Sequence, residues 1–208
     1  MNSISAAIRK WQRTLQDSFV RVCSTGLEKR AELFVTHFEE HLPRDSKVLD
    51  IGGGWGFYAE PLARLGHHVT VLDVVKPGFQ KVPVVVYPGK DLPFPDKSFD
   101  ASLLITVLHH IADLDKVLSE ARRVTRNTLI VVEDLYHHAL GRYWTVLRDK
   151  IYNFEFWGHP CCFKKKDEWI SLFQRHGFFL IEQKNVYTWL AGLRILNGLF
   201  VFQRERNL

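Results

Sequence analysis

The sequence predicts an open α/β fold, a mostly parallel sheet with helices on both faces, and three observations carry that expectation. From Lys47 onward, short runs rich in β-branched residues alternate with helical stretches, and parallel neighbours need the crossover connections that such alternation supplies. The first run, Val48-Leu49-Asp50-Ile51, passes into Gly52-Gly53-Gly54-Trp55-Gly56 and then a helical stretch. Glycines let the backbone turn sharply and approach a ligand, and a helix start offers unpaired N–H groups. Two late strands follow one another without a long helix between them, which suits an antiparallel hairpin on the sheet edge. A chain of 208 residues at 46% hydrophobic can bury one continuous core, so one domain is expected over 1–208.

In chain order, residues 4–42 read as helix. Ile4, Ile8, Trp11, Leu15, Phe19 and Val22 recur at three- and four-residue steps, with Arg9, Lys10, Arg13 and Arg21 between them. Ala31, Phe34, Val35 and Phe38 continue the pattern until Pro43 stops it. Strands are predicted at 47–51, 68–75, 82–87, 100–105 and 128–133, with helices at 58–65 and 114–124. Residues 135–169 break the alternation with aromatics and histidines. They follow a central strand, on the rim where ligands sit in open α/β sheets, and are read as a substrate cap. The hairpin strands are predicted at 177–187 and 199–203. The parts are then N-terminal helices (1–42), a cofactor-binding core (47–134), the cap (135–169) and a C-terminal helix with the edge hairpin (170–208).

Composition narrows the function. No apolar run approaches the roughly 20 residues of a membrane span, and the first residues lack the pattern of a secretory signal; a cytoplasmic location is the expectation. Cys23, Cys161 and Cys162 show no C-x-x-C spacing and are read as thiols. The net charge of +5 is spread in short clusters, so no nucleic-acid partner is expected.

The glycine loop alone indicates a nucleotide-like cofactor, and Gly54-x-Gly56-x-x-Ala59 also fits the dinucleotide fingerprint. Asp50 stands just ahead of the loop, where a carboxylate suits a cationic amino group and repels a pyrophosphate. Asp73 closes the second strand and suits two ribose hydroxyls, in either cofactor. A further element, Leu92-Pro93-Phe94-Pro95-Asp96-Lys97-Ser98-Phe99-Asp100, leads into the fourth strand and His109-His110-Ile111.

With these motifs in order, the chain resembles the class I S-adenosylmethionine-dependent methyltransferases, of the type-11 group that includes quinone-biosynthesis methyltransferases. The resemblance implies a three-layer Rossmann-like sandwich, a seven-stranded sheet in the order 3-2-1-4-5-7-6, and S-adenosylmethionine as cofactor. It makes Asp50, Gly52 and Gly54 the pocket for the amino acid end, Asp73 the ribose ligand and Val74 a neighbour of the adenine, with Gly89, Lys90 and Ile105 completing the cofactor set. The family usually has an acidic residue where this chain has Pro88, leaving the backbone of Gly89 or Lys90, or Asp91, to meet the adenine.

Methyl transfer is an in-line displacement in which positioning supplies much of the acceleration, and a base matters only for an acceptor that must lose a proton. His109 and His110 are the catalytic candidates. Glu133, Asp134, Asp149, Trp157 and His159 are the candidates for the acceptor side. The histidines lack zinc-enzyme spacing, so no metal is expected. The expected partner is a small-molecule acceptor, aromatic or apolar. Two other readings stay open: a non-catalytic module binding S-adenosylmethionine or S-adenosylhomocysteine, and an NAD(P)-dependent oxidoreductase. The N-terminal helix is expected to act either as a lid on the cofactor site or as a peripheral contact with an anionic membrane.

Overall fold

A computed structural model describes residues 3–154 and 162–205, with residues 3–10 as backbone only. Two helices lead, α1 (Ser3–Val22) and α2 (Ser24–Phe38). There follow β1 (Lys47–Ile51), α3 (Ala59–Arg64), β2 (His68–Asp73), β3 (Val84–Val86) and β4 (Phe99–Ile105). A 3-10 turn at Leu108–His110 precedes α4 (Leu114–Val124) and β5 (Thr125–Asp134). The chain then forms α5 (Ala139–Asn153), α6 (Lys166–Arg175), β6 (Phe178–Leu190) and β7 (Leu193–Arg204). The seven strands form one sheet in the order β3-β2-β1-β4-β5-β7-β6. All pairings from β3 to β5 are parallel, and β7 runs antiparallel to both β5 and β6.

Successive side chains of a strand point to opposite faces, and this alternation sorts the central strands into two cores. Leu49, Leu104, Leu129, Val131, Phe200 and Phe202 pack with Leu118 of α4 and with Trp169 and Phe173 of α6. Val48, Leu103, Ile130, Val132, Leu199 and Val201 pack with Phe34 and Phe38 of α2 and Leu62 of α3. Strands buried on both faces read as continuous apolar runs, as β4 and β5 do.

Two details depart from expectation, and a third is notable. Trp169, at the end of the predicted cap, is fully buried beside Phe173 in the core. The hairpin is longer than predicted: β6 and β7 continue to a two-residue turn, Ala191-Gly192, both at positive φ (46° and 80°), the geometry that matches strand twist in tight hairpins. Asn197-Gly198, which has the look of a turn, lies inside β7 instead. A Cβ on Gly198 would stand 2.7 Å from Leu135 and 2.8 Å from the Phe200 ring, so close approach explains that glycine.

Candidate active site

The carboxyl ends of β1, β2, β4 and β5 meet on one rim, and the predicted cofactor residues gather there. Asp50 is buried at the end of β1, and its Oδ2 has no hydrogen-bond partner among the described residues. Burial first, then the neighbouring Asp73 carboxylate, pushes the Asp50 carboxyl up to about 7. Gly52 and Gly54 take φ of 73° and 51°, which only glycine adopts without strain. A Cβ on Gly53 would lie 2.3 Å from Asp50 Oδ2, and one on Gly52 would lie 2.3 Å from Val107. The loop is therefore a backbone-lined cradle around an unsatisfied carboxylate.

Asp73 Oδ2 accepts the Gly54 N–H at 3.0 Å and its Oδ1 the Val75 N–H at 3.1 Å. Burial raises its pKa, and these backbone N–H groups act against the rise. Val74 is exposed beside Gly89, whose φ is 76°. A Cβ on Gly89 would come within 3.1 Å of the Val74 side chain. Lys90 is exposed, and Ile105 lies buried under the rim. Asp91 is turned outward in an exposed ion pair with Lys116, so no acidic side chain takes the place that Pro88 vacates. The Leu92-to-Asp96 element is held by α4: Glu120 accepts the Leu92 N–H, and Arg123 bonds Leu92 O, Phe94 O and Asp96.

The other half of the rim is a buried polar network. Thr106 turns the chain at φ 49°, an uncommon conformation for a β-branched residue. Just beyond this turn, the N–H groups of Val107 and Leu108 donate to Glu133 Oε1. Glu133 Oε2 holds His109 Nδ1 at 2.6 Å, and His109 Nε2 stands 3.3 Å from Asp149 Oδ1 on α5. Burial opposes charge on His109, yet Glu133 and Asp149 together raise its pKa well above the ordinary value. Phe163 stacks on its ring at 4.3 Å. His110, with 27% of its side chain exposed, lies 3.9 Å from the same Asp149 oxygen. Asn153 Nδ2 donates to Asp149 Oδ1 at 2.7 Å, and Gln16 of α1 donates to Asn153 at 3.1 Å.

Asp134 pairs with buried Arg148 and accepts from Asn197, which accepts from Thr188. Arg30 of α2 extends the chain to Thr188 and to Tyr58. Helix α1 meets the glycine loop: Asp17 accepts from Trp55 Nε1 at 2.9 Å and from Gly78 N–H at 3.0 Å. Phe19 stacks on Tyr152 of α5.

The predicted cofactor residues thus converge. Of the predicted acceptor residues, Glu133 and Asp134 face inward onto protein partners, and Asp149 meets both histidines. Trp157 and His159, like the side chains of Ile4, Ile8, Arg9 and Lys10, lie outside the described residues. Phe163 belongs to the aromatics of the predicted cap, whereas sequence reasoning missed Thr106, Arg148, Asn153, Asn197 and the Tyr58–Arg30 pair. Only one of these carried a signal: Arg148 adjoins Asp149, and a charged pair inside an aromatic stretch invites a search for buried partners.

Residues 49–132 match the methyltransferase domain family. A demethylmenaquinone methyltransferase of Renibacterium salmoninarum is 32% identical over 133 residues, covering 60% of this chain and 56% of the relative. The match therefore spans about half the length of that curated protein. The structure of a 1,6-didemethyltoxoflavin-N1-methyltransferase from Burkholderia thailandensis, with 1,6-didemethyltoxoflavin and S-adenosylhomocysteine bound, superposes with a TM-score of 0.65 at 18% identity, covering 95% of this chain and 90% of that one. A methyltransferase from Methanosarcina mazei gives 0.63 at 20% identity over 82% and 98%. Both share the fold.

Proposed function

From a chain that carries the class I S-adenosylmethionine-dependent methyltransferase domain, we propose an enzyme that methylates a small-molecule acceptor held beneath α5. The observation that supports this most is the buried Asp50 carboxylate with an unsatisfied oxygen inside a glycine cradle. A cationic ammonium group suits such an atom, whereas a pyrophosphate is repelled by it; this disfavours a dinucleotide. Bound there, S-adenosylmethionine supplies a methyl group on a sulfonium. Asp50 takes the ammonium end, Asp73 the ribose, and Val74 with Gly89 an apolar face for the adenine. The backbone of Gly89 and Lys90 serves where Pro88 offers no side-chain hydrogen bond.

On the acceptor side, the network around Asp134 and Arg148 fixes α5 over the strand ends, and α5 with Phe163 walls off water. His110 and Asp149, 3.9 Å apart, are the polar groups we assign to orient the acceptor. The acceptor that fits is flat and largely apolar with a polar atom to orient, a description that demethylmenaquinone, named for the Renibacterium relative, also meets. The Asp17 bonds to Trp55 and Gly78 support α1 as a lid. Among the described residues no helix is long and apolar enough to cross a membrane; exposed Trp11 on α1 and Leu140, Tyr143 and Trp144 on α5 support a peripheral membrane contact as a second reading.

Titration calorimetry tests the reading. S-adenosylmethionine and S-adenosylhomocysteine bind in the micromolar range, and Asp73→Ala weakens both by about 1–3 kcal/mol, the scale of a lost hydrogen bond to a charged group. No heat and no thermal shift at millimolar cofactor overturns it.

A further inference from the structure

We propose that His109, His110 and Asp149 form a binding site for one divalent transition-metal ion, with Glu133 and Asn153 as its outer partners. One nitrogen of each histidine and one Asp149 oxygen lie within 4.8 Å of one another. Asp149 Oδ1 is 3.3 Å from His109 Nε2 and 3.9 Å from His110 Nε2. Ligand atoms bound at about 2.1 Å around one ion stand roughly 3.0–3.4 Å apart, so small shifts bring all three into place, with the proton on His109 Nε2 released to solvent as the ion binds.

The surroundings favour an ion over a chance cluster. A ligating histidine characteristically gives its second nitrogen to a carboxylate, which fixes tautomer and ring orientation. His109 Nδ1 donates to Glu133 in this way at 2.6 Å, and Glu133 is itself fixed by the N–H groups of Val107 and Leu108. The carboxylate ligand has its own outer partner in Asn153, held in turn by Gln16. Two imidazoles and one carboxylate on one side of an ion suit zinc, manganese or iron better than magnesium or calcium. His110 is the most exposed of the three, with 27% of its side chain accessible, and an acceptor oxygen would approach the ion from that side. If methyl transfer is the reaction, the ion orients a hydroxyl acceptor and lowers its pKa, and the released proton passes to solvent.

The sequence expectation of no metal rested on spacing along the chain. Adjacent histidines have none of the usual zinc spacing, and the third ligand arrives from α5 only in the fold. A second group, Glu40, His41 and Glu182, is more exposed and ion-paired to Lys184, and it serves as the control.

The full chain, stripped with chelator, is titrated with zinc chloride by calorimetry, and the cobalt(II) form is read by visible absorption. The expected result is one equivalent bound, a cobalt spectrum of nitrogen and oxygen ligation without sulfur, at least tenfold weaker binding in His110→Gln and in Glu133→Gln, and unchanged binding in His41→Gln. No binding, unchanged binding in His110→Gln, or loss in His41→Gln overturns the site. Circular dichroism confirms that each variant is folded; His110, being partly exposed, is the substitution least able to disturb the fold. S-adenosylmethionine binding is titrated on the same samples, so failure of the metal site and failure of the methyl-transfer reading are separate results.

Discussion

The two halves of the rim solve opposite electrostatic problems. On the cofactor side a buried carboxylate, Asp50, is left unsatisfied and pushed up to about 7. Across the rim, Glu133 and Asp134 have protein partners on both oxygens: Glu133 holds His109 and the Val107 and Leu108 N–H groups, and Asp134 holds Arg148 and Asn197. An unsatisfied charge is poised for a ligand, and a satisfied one holds architecture. Asp50 is thereby set to take a ligand while Glu133 and Asp134 position their neighbours, although all three are acids at strand ends.

Substitution should split the two sides by sign. Arg148→Ala leaves Asp134 buried without its main partner and is expected to cost about 3–5 kcal/mol of stability in urea denaturation; a loss below about 1 kcal/mol makes the pair no better than an exposed one. Asp50→Asn goes the other way. The Asp50 pKa is raised on folding, so the native state holds its proton more tightly than the unfolded chain does, and stability falls as pH rises. The window runs from the ordinary 3.8 to about 7, at up to about 1.4 kcal/mol per pH unit. At pH 8 the Asn variant should therefore be more stable than wild type by about 2–4 kcal/mol, yet bind S-adenosylmethionine poorly. In wild type below pH 7, cofactor binding should release a proton, seen as buffer-dependent heat in calorimetry. Equal stability curves for the two proteins erase the contrast.

Smaller effects sharpen the border between the halves. Asp17→Ala removes the bonds from α1 to Trp55 and Gly78 and should weaken cofactor binding by about 0.5–1.5 kcal/mol. Unchanged affinity would take α1 out of the lid role and leave the membrane reading, which salt-sensitive co-sedimentation with anionic vesicles tests. Replacing Trp157 or His159 by Ala should leave cofactor affinity within a factor of about three while abolishing turnover. Lost cofactor binding there would move the cap onto the wrong half.

The cofactor side was legible because its determinants are local. Asp50 and its glycines are contiguous, Asp73 closes the next strand, and positive φ at Gly52 and Gly54 is something a sequence announces. The acceptor side was named without being resolved: His109, Glu133 and Asp149 were all candidates, yet nothing in the chain says that Glu133 faces the histidine and not a ligand. Thr106 at positive φ is invisible because its residue type argues against it. The hairpin turn was missed for the same reason, since Ala191 is no usual turn residue, while Asn197-Gly198 imitates one from inside β7.

The position of β7 has a consequence for the order in which the protein acquires its parts. It follows β6 in the chain but lies between β5 and β6, and it carries the Asn197 that closes the polar floor under α5. Pairings this distant must meet their loop-closure entropy before they gain anything, and so form slowly. β1 and β2, which carry Asp50 and Asp73, pair across the single crossover 52–67. During refolding, a protein that has not yet docked β7 already has the strands that place Asp50 and Asp73, while α5 still lacks its anchor. Competence to bind the methyl donor should then return earlier than competence to receive the acceptor.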